Sequence, residues 1–551
     1  MQNDENQNST KSQISTNVKI HNENSTIENG FPEELAKNNK KDIYNEIDAI
    51  FFEDVAEYTK DACKLITKLK EKYKNEFKNW KYLCTDHVEQ GDLVQMRGMI
   101  LNGMQVEFSL NAVITEDEDG NDRTVCGILR NRIDCSNIKE TKDISRRNAY
   151  ILVPERGITD WYLETFYGKS GERCNEALFK NEESRIYSMF YDEESENFKP
   201  NTVLDLYGII DLAETSVEED DDGSNVKNPS RMISLHVIHY EPVEYRAIVS
   251  SVHPEVLNYT NMQGFDSLIY ALEQLLGSKI IAHSLGCQLF ISGHSQPPGS
   301  VEYTFPYTIK KVYDSQLIIE AIKLFIPKVH VIDVVEGTME KSWASYEKPQ
   351  NDFEQGLLQV SDNTLIIIDE TKLSPENLLL TKKGRENYHL IKNFLSTRKM
   401  PFIYPYQTVE IESNISILVL SGEKCFFGQD GFAMVVSKSC PRDANFVRQY
   451  AIEHKSELNL CRHAILSCPK NFRDVKICKA VEGMAVESFL TMQRMCRNVD
   501  DNSARLHRQL IISKLLASLM GEKIVDEDCW KKAVVLEKEL RLTAEVPSTD
   551  N

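Results

Sequence analysis

Two adjacent acids at the end of an aliphatic run are the residues in this sequence best placed to do chemistry. Asn363 and Thr364 lead into Leu365-Ile366-Ile367-Ile368, and the run stops at Asp369-Glu370. In a phosphate-loop ATPase this is the Walker B element: the first acid anchors Mg²⁺ and the second polarises the attacking water, so both must sit where a strand ends. A buried core strand ending in two acids has the same pattern, and for this segment alone the structural role is the simpler explanation. The residues ahead of it test the chemical reading. Cys287-Gln288-Leu289-Phe290-Ile291 reads as a strand running into Ser292-Gly293-His294-Ser295-Gln296-Pro297-Pro298-Gly299, where a phosphate-binding loop belongs. A working loop needs glycines for close backbone approach, a Lys for the β- and γ-phosphates and a hydroxyl for Mg²⁺. Here two prolines remove amide donors and the Lys-Ser/Thr pair is missing, so neither ATP binding nor catalysis is expected.

The elements around these residues fall into several folding units, as roughly three to four are expected for 551 residues. Residues 1–40 are rich in Asn, Ser, Thr, Lys and Glu and nearly free of large apolar side chains, which marks a disordered tail. From Ile43 to Tyr82 apolar residues recur at helical spacing (Ile47, Ile50, Phe51, Val55, Tyr58, then Cys63, Leu65, Ile66, Leu69), predicting two amphipathic helices in a small unit over 41–90. Strands are predicted over Leu93–Leu101, Met104–Ile114 and Arg123–Leu129, the last two joined by the acidic turn from Glu116 to Asn121. A polar stretch at about 135–200 interrupts them, and strands resume at Thr202–Leu212 and Met232–Val243 around an acidic loop from Glu218 to Asp222, read as a solvated hairpin tip. This is an OB-like β-barrel domain over 91–250 with an insertion at about 135–200.

From His253 the pattern alternates. Helices are predicted at Phe265–Leu276 and Asp314–Phe325, and strands at Gln288–Ser292, Val329–Asp333, Thr364–Ile368 and Ile415–Leu420, an α/β core over 255–440 with parallel strands covered on both faces. Residues 441–542 form a helical lid-like region, with Ser503–Leu540 helical, and 543–551 a short tail. The fold class is therefore α+β and multidomain.

Composition narrows the function. A net charge of −21 repels phosphates, which disfavours direct DNA binding and favours a protein partner; KNNKK at 37–41 is too weak for a nuclear signal. No apolar run approaches the roughly 20 residues of a membrane span and the N-terminus lacks a signal-peptide stretch, so no membrane association is expected and the chain is read as staying inside the cell. Thirteen scattered cysteines without a CxxC pair read as reduced thiols. The densest group, Cys461, His463, Cys468 and Cys478, matches no common zinc spacing and is read as structural, with no metal and no cofactor expected.

Beyond the aliphatic run, the order of further segments resembles MCM helicase subunits. Leu390–Thr397, Pro401–Glu412 and Asn414–Leu420 look like their pre-sensor helix, hairpin and sensor-1 strand. Gly422 falls where their sensor asparagine stands, and Gly431, within Asp430-Gly431-Phe432-Ala433-Met434, replaces the arginine of their finger motif. Ser503-Ala504-Arg505, Leu510-Ile511 and Val525-Asp526-Glu527-Asp528 resemble the lid helices, with Arg505 at the sensor-2 position. The core is thus similar to a degenerate AAA+ core: Asp369, Glu370 and Arg505 are vestiges. Preceded by an OB-like module, that profile resembles the minichromosome maintenance complex-binding protein family. Gly91-Asp92-Leu93-Val94-Gln95-Met96-Arg97-Gly98-Met99, Glu107-Phe108, Leu204-Asp205-Leu206-Tyr207-Gly208-Ile209 and Gly356-Leu357-Leu358-Gln359-Val360 resemble the same family, and the similarity spans about 45–540.

The resemblance implies a nuclear, and also cytoplasmic, non-catalytic factor. Its partners would be MCM subunits, which it would chaperone or remove from chromatin during DNA replication. Two other readings stand beside it: an ATP-dependent AAA+ enzyme with an unconventional phosphate loop, and a single-stranded nucleic-acid binder acting through the OB-like domain.

Overall fold

A computed structural model describes residues 42–545 except 84–85, 104, 117–120, 134–137, 168–184, 215–230, 244, 246–247, 293–306, 311, 313, 349–352, 374–380, 398, 423–424, 428–432, 436–441, 469–474 and 496–498. The chain forms two compact units. One is built from residues up to 154 with 176–199 and 204–241, the other from 155–175, 200–203 and 242 onward.

The first unit opens with helices Asp42–Phe51, Val55–Lys60 and Ala62–Tyr73 and the short 3₁₀ turn Phe77–Asn79, where the apolar spacing predicted two helices. The extra break comes from capping carboxylates. Asp54 Oδ1 accepts from the Glu57 N–H at 3.0 Å and Asp61 Oδ1 from the Cys63 N–H at 3.0 Å, each starting a new helix. Strands follow as β1 (Lys81–Tyr82), β2 (Leu93–Ile100), β3 (Gln105–Glu116), β4 (Asp122–Cys126), β5 (Ile138–Val153), β6 (Ile186–Phe190), β7 (Val203–Glu214) and β8 (Arg231–Pro242). Their order is β1-β2-β7-β8-β6-β5-β3-β4, and a further β2–β5 pairing closes the ring β2-β7-β8-β6-β5. Within it β2–β5 and β5–β6 are antiparallel and β6–β8 parallel.

Two ring strands, β5 and β6, lie in the stretch at about 135–200 expected to interrupt the β pattern. The first half of β5 is exposed on both faces and therefore shows no apolar alternation, and β6 is only five residues long. Val94, Met96, Ile100, Tyr150, Leu152, Phe190, Leu206 and Leu235 fill the ring. The N-terminal helices bury Ile47, Phe51, Leu65 and Leu69 in a common cluster with Ala112, Cys126, Ile209 and Ile238 of the strands.

The second unit is centred on a sheet of β9 (Tyr307–Lys310), β10 (Val329–Asp333), β13 (Leu365–Asp369), β16 (Ser416–Leu420) and β17 (Ala433–Val435), in the order β10-β13-β16-β9-β17. Every neighbouring pair is parallel. A second sheet, in the order β12-β11-β14-β15, is formed by β11 (Ser345–Glu347), β12 (Phe353–Glu354), β14 (Lys399–Ile403) and β15 (Thr408–Glu412). Helices Asn261–Leu276, Lys279–Ser292 and Ser315–Lys323 pack with the C-terminal helices Lys455–Ser467, Val499–Leu519 and Glu527–Glu545 around the central sheet. The parallel pair β18 (Lys476–Ile477) and β19 (Ile524–Val525) ties the C-terminal helices together.

The predicted strand at Gln288–Ser292, and with it the strand reading of Cys287–Ile291, is corrected here: these residues are the last turns of the helix Lys279–Ser292. Ile281, Leu285, Cys287, Leu289 and Phe290 are all buried and Gln288 is 3% exposed, so the helix is covered on every side. A helix buried all round has no polar stripe, and over a short window its apolar run cannot be told from a buried strand. The strand that occupies the inner position of the sheet is β9, which the sequence pattern did not mark.

Candidate functional site

In an open parallel sheet, ligands bind beyond the carboxyl ends of the strands at the point where the strand order reverses. Numbered along the chain, the central sheet runs 2-3-4-1-5, so the reversal lies between β16 and β9, the fourth and first strands. Asp369 ends β13, aligned with Asp333 of β10 and Leu420 of β16. Ser421 and Gly422 follow β16 at the same edge, and β9 leads into helix Ser315–Lys323.

At the end of β13 and at the start of the helix after β9, carboxylates hold the protein's own backbone. Asp369 and Glu370 are 5% and 3% exposed. Asp369 Oδ1 accepts from the Thr371 N–H at 3.0 Å and the Thr371 hydroxyl at 2.6 Å, a local turn that ends the strand. Glu370 spends both oxygens on the chain after β16, Oε1 accepting from the Phe426 N–H at 2.8 Å and Oε2 from the Phe427 N–H at 3.0 Å. Phe427 is fully buried and stacks 5.8 Å from Trp343, while Phe426 lies 4.8 Å from Tyr388. The carboxylate that would polarise a water is thus the anchor of an aromatic cluster.

The helix after β9 is sealed in the same way. A helix N-terminus next to a reversal point is a ready anion site, because its first N–H groups lack partners. Here Asp314 caps it, Oδ1 accepting from the Leu317 N–H at 3.1 Å. A fixed carboxylate stands where a phosphate would be drawn in. The connection from β9 to this helix spans only 311–314, with Val312 N–H bonded to the Ser421 carbonyl at 3.0 Å.

The remaining predicted residues are dispersed. Gly422 is partly exposed, and a Cβ placed on it would meet only the Thr371 carbonyl at 3.7 Å, so glycine is not sterically required there. Arg505 lies on helix Val499–Leu519 with Nε 3.9 Å from Glu537 of the last helix; Arg508 and Gln509 approach the same carboxylate at 3.4 Å. Glu537 is 0% exposed, so the two arginines offset, and the Gln509 amide hydrogen-bonds, a carboxylate buried between two packed helices. The loop from Gly293 to Gly299, Gly431 with Asp430 and Phe432, the turn from 117 to 120, the acidic loop from Glu218 to Asp222, and KNNKK at 37–41 lie outside the described residues.

Among the described residues no group of three His, Cys, Asp or Glu side chains is arranged to hold a metal, and no helix is long and apolar enough to cross a membrane. Cys461 and Cys468 are buried, and burial pushes their thiols up to about 12 and about 11. Burial likewise holds His463 below the ordinary imidazole range.

Two buried polar clusters carry no sequence signal because their members are far apart in the chain. In the first unit His236, 0% exposed, contacts the Tyr191 hydroxyl at 2.6 Å through Nδ1 and Asp211 at 3.3 Å through Nε2. In the second, Lys328 and Glu155 form an ion pair at 3.3 Å with both side chains 0% exposed. Both are closed to solvent, which suits them to holding elements together.

Comparison with known proteins places the chain. Residues 186–543, well over half of it, match the family described as the mini-chromosome maintenance replisome factor. The mini-chromosome maintenance complex-binding protein of Salmo salar is 23% identical over 417 residues, covering 68% of this chain and 63% of that protein. The protein of the same name from Arabidopsis thaliana is 23% identical over 376 residues, with 63% and 61% covered, and that of Gallus gallus 21% identical over 389 residues, with 63% and 60% covered. The matched stretch is therefore about three-fifths of the length of these relatives. With this match running from the barrel through the last helix, the chain belongs to the mini-chromosome maintenance complex-binding protein family.

Proposed function

We propose that this chain is a non-catalytic binding factor of the MCM helicase that associates with MCM subunits in the nucleus, to chaperone them or to take MCM complexes off chromatin during DNA replication. The observation that carries this is that the carboxylates at the strand ends and the strand reversal of the central sheet are committed to the protein's own backbone. The strand order 2-3-4-1-5 with two acids ending the third strand supports a degenerate AAA+ core, while Glu370 holds the Phe426 and Phe427 amides and Asp314 caps the helix that would face phosphates. A fold kept while its reactive groups are turned inward leaves the outer surface as the working part. A subunit-like shape offers an MCM-type contact face, yet without a nucleotide site it could not complete a working ring. The five-strand ring with its parallel β6–β8 pair supports an OB-like module ahead of that core.

The test is recovery of MCM subunits on the full-length chain from a replicating cell extract, with and without added nucleotide. Recovery independent of nucleotide, unchanged by Asp369→Asn, is expected. Recovery of no MCM subunit refutes the proposal, and ATP hydrolysis by the purified chain that Asp369→Asn abolishes would instead establish the enzymatic reading.

A further inference from the structure

The hairpin β14–β15 leaves the second sheet of the second unit with an open margin, since β15 is the outermost strand in the order β12-β11-β14-β15 and no described strand lies beyond it. Natural edges are usually blunted by Lys, Pro or a bulge. The five-residue strand Thr408-Val409-Glu410-Ile411-Glu412 has no Lys, Pro or bulge, its charges are two glutamates that repel an acidic strand and admit a basic one, and all of it but Ile411 is exposed.

Its hydrogen-bond phase is fixed by the turn. Tyr404 N–H bonds to the Gln407 carbonyl at 2.8 Å, and the register pairs Phe402 with Val409 and Met400 with Ile411. Hydrogen-bonded and non-bonded pairs alternate along an antiparallel ladder, so the N–H and C=O groups of Thr408, Glu410 and Glu412 point away from β14. They form an outward row of donors and acceptors.

The two faces of the hairpin differ. Phe353, Met400 and Phe402 are at most 1% exposed and Phe353 stacks on Phe402 at 5.9 Å, but on the same face at the margin Val409 is 39% exposed. The apolar layer stops one strand short of cover. The opposite face of the edge carries Glu410 and Glu412, with the cation Lys399 only 3.9 Å from Glu410 across the hairpin, and Tyr406 at the turn is 100% exposed.

We propose that β15 is a docking edge for an extended segment of a partner protein in which apolar residues alternate with Lys or Arg. Such a strand pairs with Thr408, Glu410 and Glu412 through its backbone, covers Val409 and Ile411 with its apolar side chains and sets its cations against Glu410 and Glu412. A second copy of this chain is the poorer occupant, because antiparallel pairing of two β15 strands brings acids against acids. The inference goes beyond association with MCM subunits and holds whichever protein carries the segment.

The test is fluorescence anisotropy of the full chain with a labelled synthetic peptide of alternating valine and lysine. Its control is the same peptide N-methylated on alternate residues, which keeps charge and shape but cannot complete the ladder. Glu410→Pro removes one outward N–H at an edge where proline is tolerated, with folding checked by thermal unfolding. Glu410→Lys with Glu412→Lys keeps every backbone group. The expected result is binding that falls about tenfold or more with the N-methylated peptide and with Glu410→Pro, and that shifts in the double variant toward a valine–glutamate peptide. Equal binding of the N-methylated peptide, or binding unaffected by either variant, overturns the proposal in favour of charge attraction alone. Self-association of the chain that Glu410→Pro abolishes overturns it in favour of a second copy.

Discussion

Lys328→Met removes a cation that sits at 0% exposure and is held from four sides. Its Nζ lies 3.3 Å from Glu155 Oε1, donates to Ser361 Oγ at 2.8 Å and to the Asp362 carbonyl at 2.6 Å, and stands 3.8 Å from the centre of the Tyr245 ring. Glu155 in turn accepts from the Tyr245 hydroxyl and from Ser361 Oγ, both at 2.6 Å. The cluster pins residues 155 and 245 to the strand start at Lys328 and to the turn before β13. At 3.3 Å and an effective dielectric constant of about 20, the Coulomb attraction is about 5 kcal/mol, most of it offset by desolvation of the two ions. Methionine fills the space of the lysine stem but leaves the carboxylate buried without its cation, so Lys328→Met should cost about 3–5 kcal/mol, toward the lower figure because two hydroxyl donors remain on Glu155. Adding Glu155→Met removes the stranded charge, so the double variant should be more stable than Lys328→Met alone by about 1–3 kcal/mol. Urea unfolding followed by the fluorescence of Trp161 and Trp343, both in the same unit, gives the midpoints. A Lys328→Met cost below about 1 kcal/mol, or a double variant whose loss is the sum of the singles, refutes the view of this pair as a coupled, solvent-free staple.

Glu370→Ala should release the Phe426 and Phe427 amides, destabilising the second unit by about 1–3 kcal/mol, while Glu370→Gln loses less; hydrogen exchange at these two amides, faster in the alanine variant, is the readout. Gly264→Ala, which raises helix propensity, should nevertheless destabilise, because the added Cβ would lie 2.3 Å from the Ala464 Cβ; a raised Tm would refute the close helix contact. His236 is held below the ordinary imidazole value by burial, opposed by its contact with Asp211, with Arg147, Glu107 and Tyr191 the other ionisable groups facing it. Below the unfolded-state value of about 6.5 the unfolded chain therefore binds the extra proton first, so the first unit's stability is full above that pH and falls as pH drops through it, by up to about 1.4 kcal/mol per unit. Unfolding midpoints measured from pH 7.5 to 5 in the intact chain and in His236→Gln, whose slope in this window should be shallower, check the assignment; parallel slopes would refute it.

Local pattern made much of the fold legible. Val329–Asp333, Thr364–Ile368 and Ile415–Leu420 read as buried parallel strands because both faces of each are covered, so the aliphatic run has no polar break. The helix ending at Leu276 was equally local, capped by Thr260 and Gln263 and stopped by left-handed Gly277, whereas the hairpin between Pro401 and Glu412 was marked only by the family resemblance. Where neighbours rather than neighbouring residues set the environment, pattern failed. Lys279–Ser292 is surrounded on all sides and so resembles a strand, and the first half of β5 is solvated on both faces and so resembles a loop.

The pair Asp369-Glu370 shows where sequence stops and tertiary structure takes over. Sequence alone determined that two acids end a buried strand, since an aliphatic run must stop where charge meets water or a partner. Asp369 is held locally by Thr371, but what Glu370 does was decided by chain distant in sequence. Glu370 is turned to the amides of Phe426 and Phe427, more than fifty residues away, and the helix N-terminus at the strand reversal follows β9 and is filled by Asp314. Two amide bonds, one on each oxygen, fix the orientation of the Glu370 carboxylate, and its 3% exposure follows from the packing around it. Residue type and spacing record only that the carboxylate exists.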